Sequence, residues 1–245
     1  MRFFKLNFVS LYRQSVLLTM VSLQNSAAMK LKLFLVALLA FVPILLSAQT
    51  YQMVQTRNYH NQLRLNTKTG EVVQIQDDGQ SWLICDAVSA SSAEGRYRLS
   101  ETQNMWNFLM LDTFTGKVWQ VQFSVKGVDY QFAVPINSEE FASSFWSKTP
   151  DRFQLTATQN MWNFILLDSF TGRLWQVQYS TEDLANSVCI PINERKFADA
   201  SRSIFTIQPL VSMFQYYLID NSSGAMWKFQ WTTDGAEYRW IEPFR

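Results

Sequence analysis

Residues 174–180 read LWQVQYS, with large apolar side chains alternating with Gln, the period-two pattern of a strand whose faces meet unlike surroundings. A shorter alternating stretch, RFQLT, lies at 152–156, and the mostly apolar FILLD follows at 164–168. The second and third of these strands are joined by D-x-x-T-G. Asp there can accept backbone N–H groups ahead of it, and Gly takes the left-handed conformation that closes a hairpin loop. A fourth strand is read at 186–193 (NSVCIPIN). The pattern predicts a four-stranded meander.

The same pattern recurs. Residues 96–124 and 152–180 are identical at 19 of 29 positions without a gap, and both carry TQNMWNF. Weaker copies run over 51–76 and 205–231, and the shared glycine falls at Gly70, Gly116, Gly172 and Gly224. The fourth strand recurs as YQFAVPIN at 130–137 and more loosely as YRWIEP at 238–243, with SWLICD at 81–86 in its place in the first unit. Pro135, Pro191 and Pro243 are in register, at the end of an outer or edge strand where a missing N–H costs little. Four units result, about 51–95, 96–151, 152–203 and 204–245.

Repeats of this length predict an all-β, four-bladed β-propeller, whose blades bury their faces against one another. An up-and-down barrel or other β-array is the alternative, since the Gln-bearing face (Gln74/Gln76, Gln120/Gln122, Gln176/Gln178, Lys228/Gln230) suits a wet surface. The D-x-x-T-G-x-x-W unit, as in Asp112 to Trp119, resembles the blades of quinoprotein-type propellers, and the array size resembles hemopexin-type four-bladed propellers. Together these features resemble secreted bacterial β-propeller-like repeat proteins.

The N-terminus changes the charge picture. From Met29 the chain has a basic start (Lys30, Lys32), an apolar core from Leu33 to Leu46 and a small-residue exit at Ser47-Ala48-Gln49, the pattern of a secretory signal peptide. Residues 29–48 are expected to be removed, residues 1–28 to be an upstream extension, and 49–245 to form one β-repeat domain. Residues 1–48 hold five Lys/Arg and no Asp/Glu, so of the 21 basic and 20 acidic residues 16 and 20 remain, a formal charge of −4 rather than +1. A mildly acidic chain without a basic run is a poor nucleic-acid binder. An exported protein, periplasmic or extracellular, without a transmembrane segment in its mature form, is expected.

Catalytic chemistry is sparse. The single histidine, His60, falls in the column of Trp106, Trp162 and Phe214 and reads as an aromatic-like filler. A histidine metal cluster is excluded by that count, no nucleophile elbow is present, and no cofactor is expected. Asp112, Asp168 and Asp220, with Asn66 in the first unit, read as turn caps. The strand-C column Trp119, Trp175 and Trp227, with Val73, reads as core. Cys85 and Cys189 align with Ala133 and read as two small buried, unbridged residues.

The candidate binding residues are Trp106 and Trp162, flanked by Asn104/Asn107 and Asn160/Asn163, with His60 in the matching place. Aromatic faces beside amides are what a sugar-binding surface needs. Yet Trp106, Phe108 and Met110 share one strand face, which points inward. The variable connections between units, carrying Phe141 and Phe197, offer a second candidate surface. The leading expectation is a non-catalytic binding module for a glycan or an envelope or extracellular protein. Alternatives are a glycan-active enzyme using carboxylates such as Glu139, Glu140, Glu182 or Glu194, and a structural subunit of an envelope assembly.

Overall fold

Each predicted hairpin forms where Asp or Asn meets Thr-Gly or Ser-Gly. In the second unit the Asp112 carboxylate accepts the Phe114 N–H at 3.0 Å and the Thr115 hydroxyl at 2.8 Å. Gly116 then donates its N–H to the Asp112 carbonyl at 2.9 Å with φ at 78°, a conformation that a Cβ would strain. Asp168 and Asp220 organise the same turn, so the aspartate column is a set of turn caps.

The structure, a computed structural model, describes residues 49–90, 93–142 and 149–244. The expected upstream extension and signal peptide lie outside the described residues. Sixteen strands form four antiparallel sheets, each paired in sequence order among the described residues. They are β1 Tyr51–Gln55, β2 Asn61–Asn66, β3 Val72–Gln76 and β4 Ser81–Cys85; β5 Tyr97–Glu101, β6 Asn107–Asp112, β7 Val118–Gln122 and β8 Phe132–Pro135. The third sheet holds β9 Phe153–Ala157, β10 Asn163–Asp168, β11 Leu174–Gln178 and β12 Val188–Asn193; the fourth holds β13 Phe205–Pro209, β14 Gln215–Asp220, β15 Met226–Gln230 and β16 Trp240–Pro243. No helix among the described residues is long and apolar enough to cross a membrane.

The sheets stack face to face in a propeller-like array, and strand alternation sorts the core into three layers. Leu63 and Leu65 of β2 meet Tyr97, Phe108, Met110 and Trp119. On the opposite face of β6, Leu109 and Leu111 meet Phe153, Phe164, Leu166 and Trp175. Ile165 and Leu167 of β10 meet Phe205, Tyr216, Leu218 and Phe229. No core cluster among the described residues joins the fourth sheet to the first.

Separate sheets exclude the barrel, and the expected wet Gln face is corrected with it. Gln74, Gln120 and Gln176 are at most 1% exposed. Each donates its amide N–H to the side chain of Asn61, Asn107 or Asn163 at 2.6, 2.8 and 2.7 Å. Gln74 and Gln120 also reach the next sheet, donating to the Ser124 and Ser180 carbonyls at 3.2 and 2.8 Å. The buried amide N–H groups are paired, while the Gln176 Oε1 is buried with no hydrogen-bond partner among the described residues. The first Gln of each pair thus forms a buried polar rung, while Gln76, Gln122 and Gln178 on the same face stay half-buried.

The proline register holds: Pro135, Pro191 and Pro243 pair with Trp119, Trp175 and Trp227 on the outer strand of each sheet. The cysteine register does not. Cys189 pairs with Val177 as Ala133 pairs with Val121, but Cys85 pairs with Val72 and so matches Asn193, the partner of Leu174. A four-residue turn at 77–80 with Gly79 at φ 87° replaces the longer connection of the other sheets and shifts the first unit's outer strand. Both thiols are free, and burial pushes the Cys85 thiol to about 11 and that of Cys189 to about 12.

Candidate functional site

The repeated TQNMWNF is a self-bonded turn between the first two strands of a sheet. The Thr102 hydroxyl donates to the Asn107 carbonyl at 2.7 Å and accepts the Asn104 N–H at 3.1 Å. The Asn104 carboxamide oxygen accepts the Trp106 N–H at 2.9 Å and the Asn107 side-chain amide at 3.0 Å. Thr158, Asn160, Trp162 and Asn163 repeat these bonds. Asn107 and Asn163 are 1% exposed and bonded to Gln120 and Gln176. The asparagines therefore hold the turn, a local side-chain-to-backbone use typical of Asn and Thr.

The tryptophans are held by the turn and only half-buried. The Trp106 ring lies 5.2 Å from that of Phe123, and the Trp162 ring 5.2 Å from that of Tyr179. In the fourth sheet Phe214 and Trp231 repeat the pair at 5.1 Å. His60 occupies the column but does not fill it. Its ring stands exposed, Nδ1 3.1 Å from Asp77 Oδ2, because the first sheet has Asp77 where the others have an aromatic partner.

Each half-buried Trp borders a pocket at the end of the array where these turns lie. The larger, about 560 Å³, is lined by Trp162, Tyr179, Glu182, Asn186 and, from the next sheet, Thr233, with Asn160 and Asn163 at its base. The smaller, about 310 Å³, is lined by Trp106, Phe123, Lys126 and Tyr130. A third recess of about 150 Å³ lies among the turns of the first three sheets, between Arg57, Glu101, Thr102 and Met161.

The pocket walls come from the connection between third and fourth strands, which holds the candidate carboxylate Glu182. It also holds Tyr130 and Asn186, expected in the fourth strand, which instead begins at Phe132 and Val188. It opens on a side-chain cap, with Ser124 Oγ accepting the Lys126 N–H at 3.0 Å, and ends in a single 3-10 turn at Val128–Tyr130. The third sheet repeats it with Ser180 and Leu184–Asn186. In register, Glu182 stands where Lys126 does and Asn186 where Tyr130 does. Loss of the Tyr130 ring widens the larger pocket, and the charge on its wall is inverted. The detectable signal was constant loop length with exchanged chemistry. Burial raises the Tyr179 phenol above its ordinary pKa, so this ring stays neutral at physiological pH.

Phe141 and Phe197, on the other candidate surface, are packing residues. Each donates its backbone N–H to the threonine of the D-x-x-T-G turn, Thr115 or Thr171, at 2.8 Å. Phe141 stacks on Trp175 with ring centroids 4.1 Å apart, and Phe197 lies 4.4 Å from Trp227.

Among the carboxylates considered for catalysis, Glu182 lines the larger pocket, and no second Asp or Glu lines it among the described residues. Most glycosidases use two carboxyl groups flanking one bond, about 5–10 Å apart. Glu139, Glu140 and Glu194 lie beyond the outer strands, in the connections to the next sheet.

No family model matches the chain, and no curated protein does. Solved structures do. An auxiliary nutrient binding protein from Bacteroides thetaiotaomicron VPI-5482 is similar over 80% of this chain and 41% of its own, at 8% identity and a TM-score of 0.42. A provisionally named 6-phosphogluconolactonase from Bacteroides uniformis ATCC 8492 is similar over 82% and 56%, at 10% identity and a TM-score of 0.47. An auxiliary nutrient binding protein from Bacteroides ovatus ATCC 8483 is similar over 78% and 46%, at 9% identity and a TM-score of 0.39. The chain spans about half the length of the solved structures it matches.

Proposed function

We propose that the chain is an exported binding module for a glycan, seated in the tryptophan-walled pockets at the turn end of the second and third sheets. The observation that carries this reading is the pair of pockets itself. The same rigid turn presents a half-buried Trp twice, and in each case a loop of constant length brings polar side chains beside the ring. A sugar offers an apolar C–H face and a rim of hydroxyls. An aromatic ring meets the first, while carboxylates, amides and ammonium groups meet the second. Lys126 and Tyr130 in one pocket against Glu182 and Asn186 in the other give the two sites different preferences. The turn asparagines position the tryptophans, and Asn160 and Asn163 also line the larger pocket.

A glycan panel screened by array and then by calorimetry tests this. Glu182→Gln and Tyr130→Ala leave the Trp packing in place and are expected to weaken binding at their own pocket at least about tenfold, which corresponds to about 1.4 kcal/mol. If no glycan binds, or if both variants bind as the wild type does, the reading fails.

A further inference from the structure

Among the described residues, the two end sheets of the array each carry one face without a neighbouring sheet, and the repeat register states what such a face meets elsewhere in the chain. Toward the following sheet, β2, β6 and β10 present buried Leu63/Leu65, Leu109/Leu111 and Ile165/Leu167. In β14 the same register holds Tyr217 and Ile219, which are only half-buried, with the half-exposed Phe244 ring 5.0 Å from Tyr217. Toward the preceding sheet, β5 presents buried Tyr97 and Leu99, whereas β1 in the same register presents Tyr51 and Met53, 49% and 51% exposed.

Two contacts mark every internal junction. The hairpin glycine of one sheet abuts the aromatic that opens the next: a Cβ built on Gly70, Gly116 or Gly172 would lie 3.1, 2.7 or 3.3 Å from the ring of Tyr97, Phe153 or Phe205. Beside it, the carbonyl of Thr67, Thr113 or Ser169 accepts the N–H of that aromatic residue at 2.9 Å. The fourth sheet carries the first half of this device, Gly224 and the Asn221 carbonyl, with nothing within 4 Å of the Gly224 Cβ position. The first sheet carries the second half, Tyr51.

Charge follows the same register. Where Gln74 and Gln120 donate to the carbonyls of Ser124 and Ser180 in the next sheet, β15 has Lys228. The first sheet has Asp77-Asp78 in the place of Phe123-Ser124. A cation at one end of the array therefore matches carboxylates at the other.

We infer that the partner of these faces is a second copy of the chain, bound tail to head, with the fourth sheet of each copy on the first sheet of the other. Two such junctions close a two-fold ring of eight sheets, using each free face once. The junction is heterologous in content yet closes under two-fold symmetry, which caps both ends and stops further growth.

Light scattering on the purified protein at micromolar concentration is expected to give twice the mass of the chain. Met53→Arg on the first face and Lys228→Glu on the fourth are each expected to shift the protein to the monomer mass. Phe244→Arg, at a position 51% exposed, serves as a second variant of the fourth face. An equimolar mixture of Met53→Arg with Lys228→Glu retains one intact junction and is expected to recover a dimer. A wild-type monomer throughout that range overturns the inference. So does a dimer that survives substitution of either face, which would mean like-to-like pairing.

Discussion

The two inner sheets and the two outer sheets are built from one repeat but differ in how they are used. In β6 and β10 all six residues are buried, because alternate side chains point into different neighbouring sheets. In β2 burial alternates residue by residue, and in β14 only Tyr216 and Leu218 are buried. Sequence divergence follows that difference. Met110 and Leu166 of the inner sheets correspond to Arg64 in the first, and Gln120 and Gln176 correspond to Lys228 in the fourth. The strong identity between the second and third units thus reflects two-sided packing, where a change of shape is felt on both faces.

The buried ion pairs show the same contrast. Asp168 is fully buried and receives the Arg152 guanidinium through two bonds, at 2.9 and 2.7 Å, with Arg173 at 3.2 Å. Asp112 pairs with Arg96 in the same way. In the fourth sheet Ile204 stands where these arginines do, and Asp220 is served instead by Ser222 and Ser223 at the surface. The turn needs its acceptor everywhere; a counter-ion is needed only where the acceptor is buried.

The largest test of the comparison is therefore Asp168→Ala beside Asp220→Ala. The first removes the buried carboxylate that receives the Arg152 guanidinium and is expected to cost about 3–5 kcal/mol in urea unfolding. The second removes a solvated turn cap and is expected to cost about 1 kcal/mol or less. Equal losses would show that burial does not separate inner from outer sheets. Next in size, Ile165→Ala, at a fully buried position between the third and fourth sheets, is expected to cost about 2–5 kcal/mol. Val125→Ala, at a 53% exposed position, is expected to stay within about 0.5 kcal/mol of the wild type in the same assay.

The pH response sharpens the comparison further. Burial by itself would raise the Asp168 carboxyl, but the bonds and charge of Arg152, the Thr171 hydroxyl and the Phe170 N–H outweigh it and hold the group below its ordinary value. A depressed folded-state pKa means stability that is present above the unfolded value of about 3.9 and is lost as pH falls through the folded value. Urea midpoints measured from neutral pH down through that window are expected to fall more steeply for the wild type than for Asp168→Asn. Parallel curves would remove the inner ion pair from the account.

The smallest signal comes from the thiols. With both pushed to about 11 or 12 by burial, Cys85 and Cys189 are thiols at neutral pH and label slowly in the native state. Two equivalents per chain are expected to react on unfolding without reductant. Fast native labelling of Cys189, in the third sheet, would show that the outer strand there opens.

Much of this was legible in the sequence because strands, turns and repeats are local. Alternation located the strands, D-x-x-T-G located the hairpins, and the aligned prolines located the outer strands. The site was half legible. Trp106 and Trp162 do border pockets, but the flanking asparagines are absorbed by their own turn. Glu182 was legible only as one of several unpatterned carboxylates, Tyr130 and Asn186 were read as strand, and Lys126 had no periodicity to mark it as a pocket wall. His60 kept its column while its surroundings changed from Phe to Asp.

What the sequence by itself determined was the unit: a four-stranded meander with capped hairpins, used four times, because backbone hydrogen bonding and turn chemistry need only near neighbours along the chain. Tertiary structure alone decided which Gln is buried and bonded across a junction, which Trp is left half-open beside a pocket, and which sheets lack a neighbour on one face. Those properties depend on distant residues brought together by stacking, and identical heptapeptides acquire different surroundings through it.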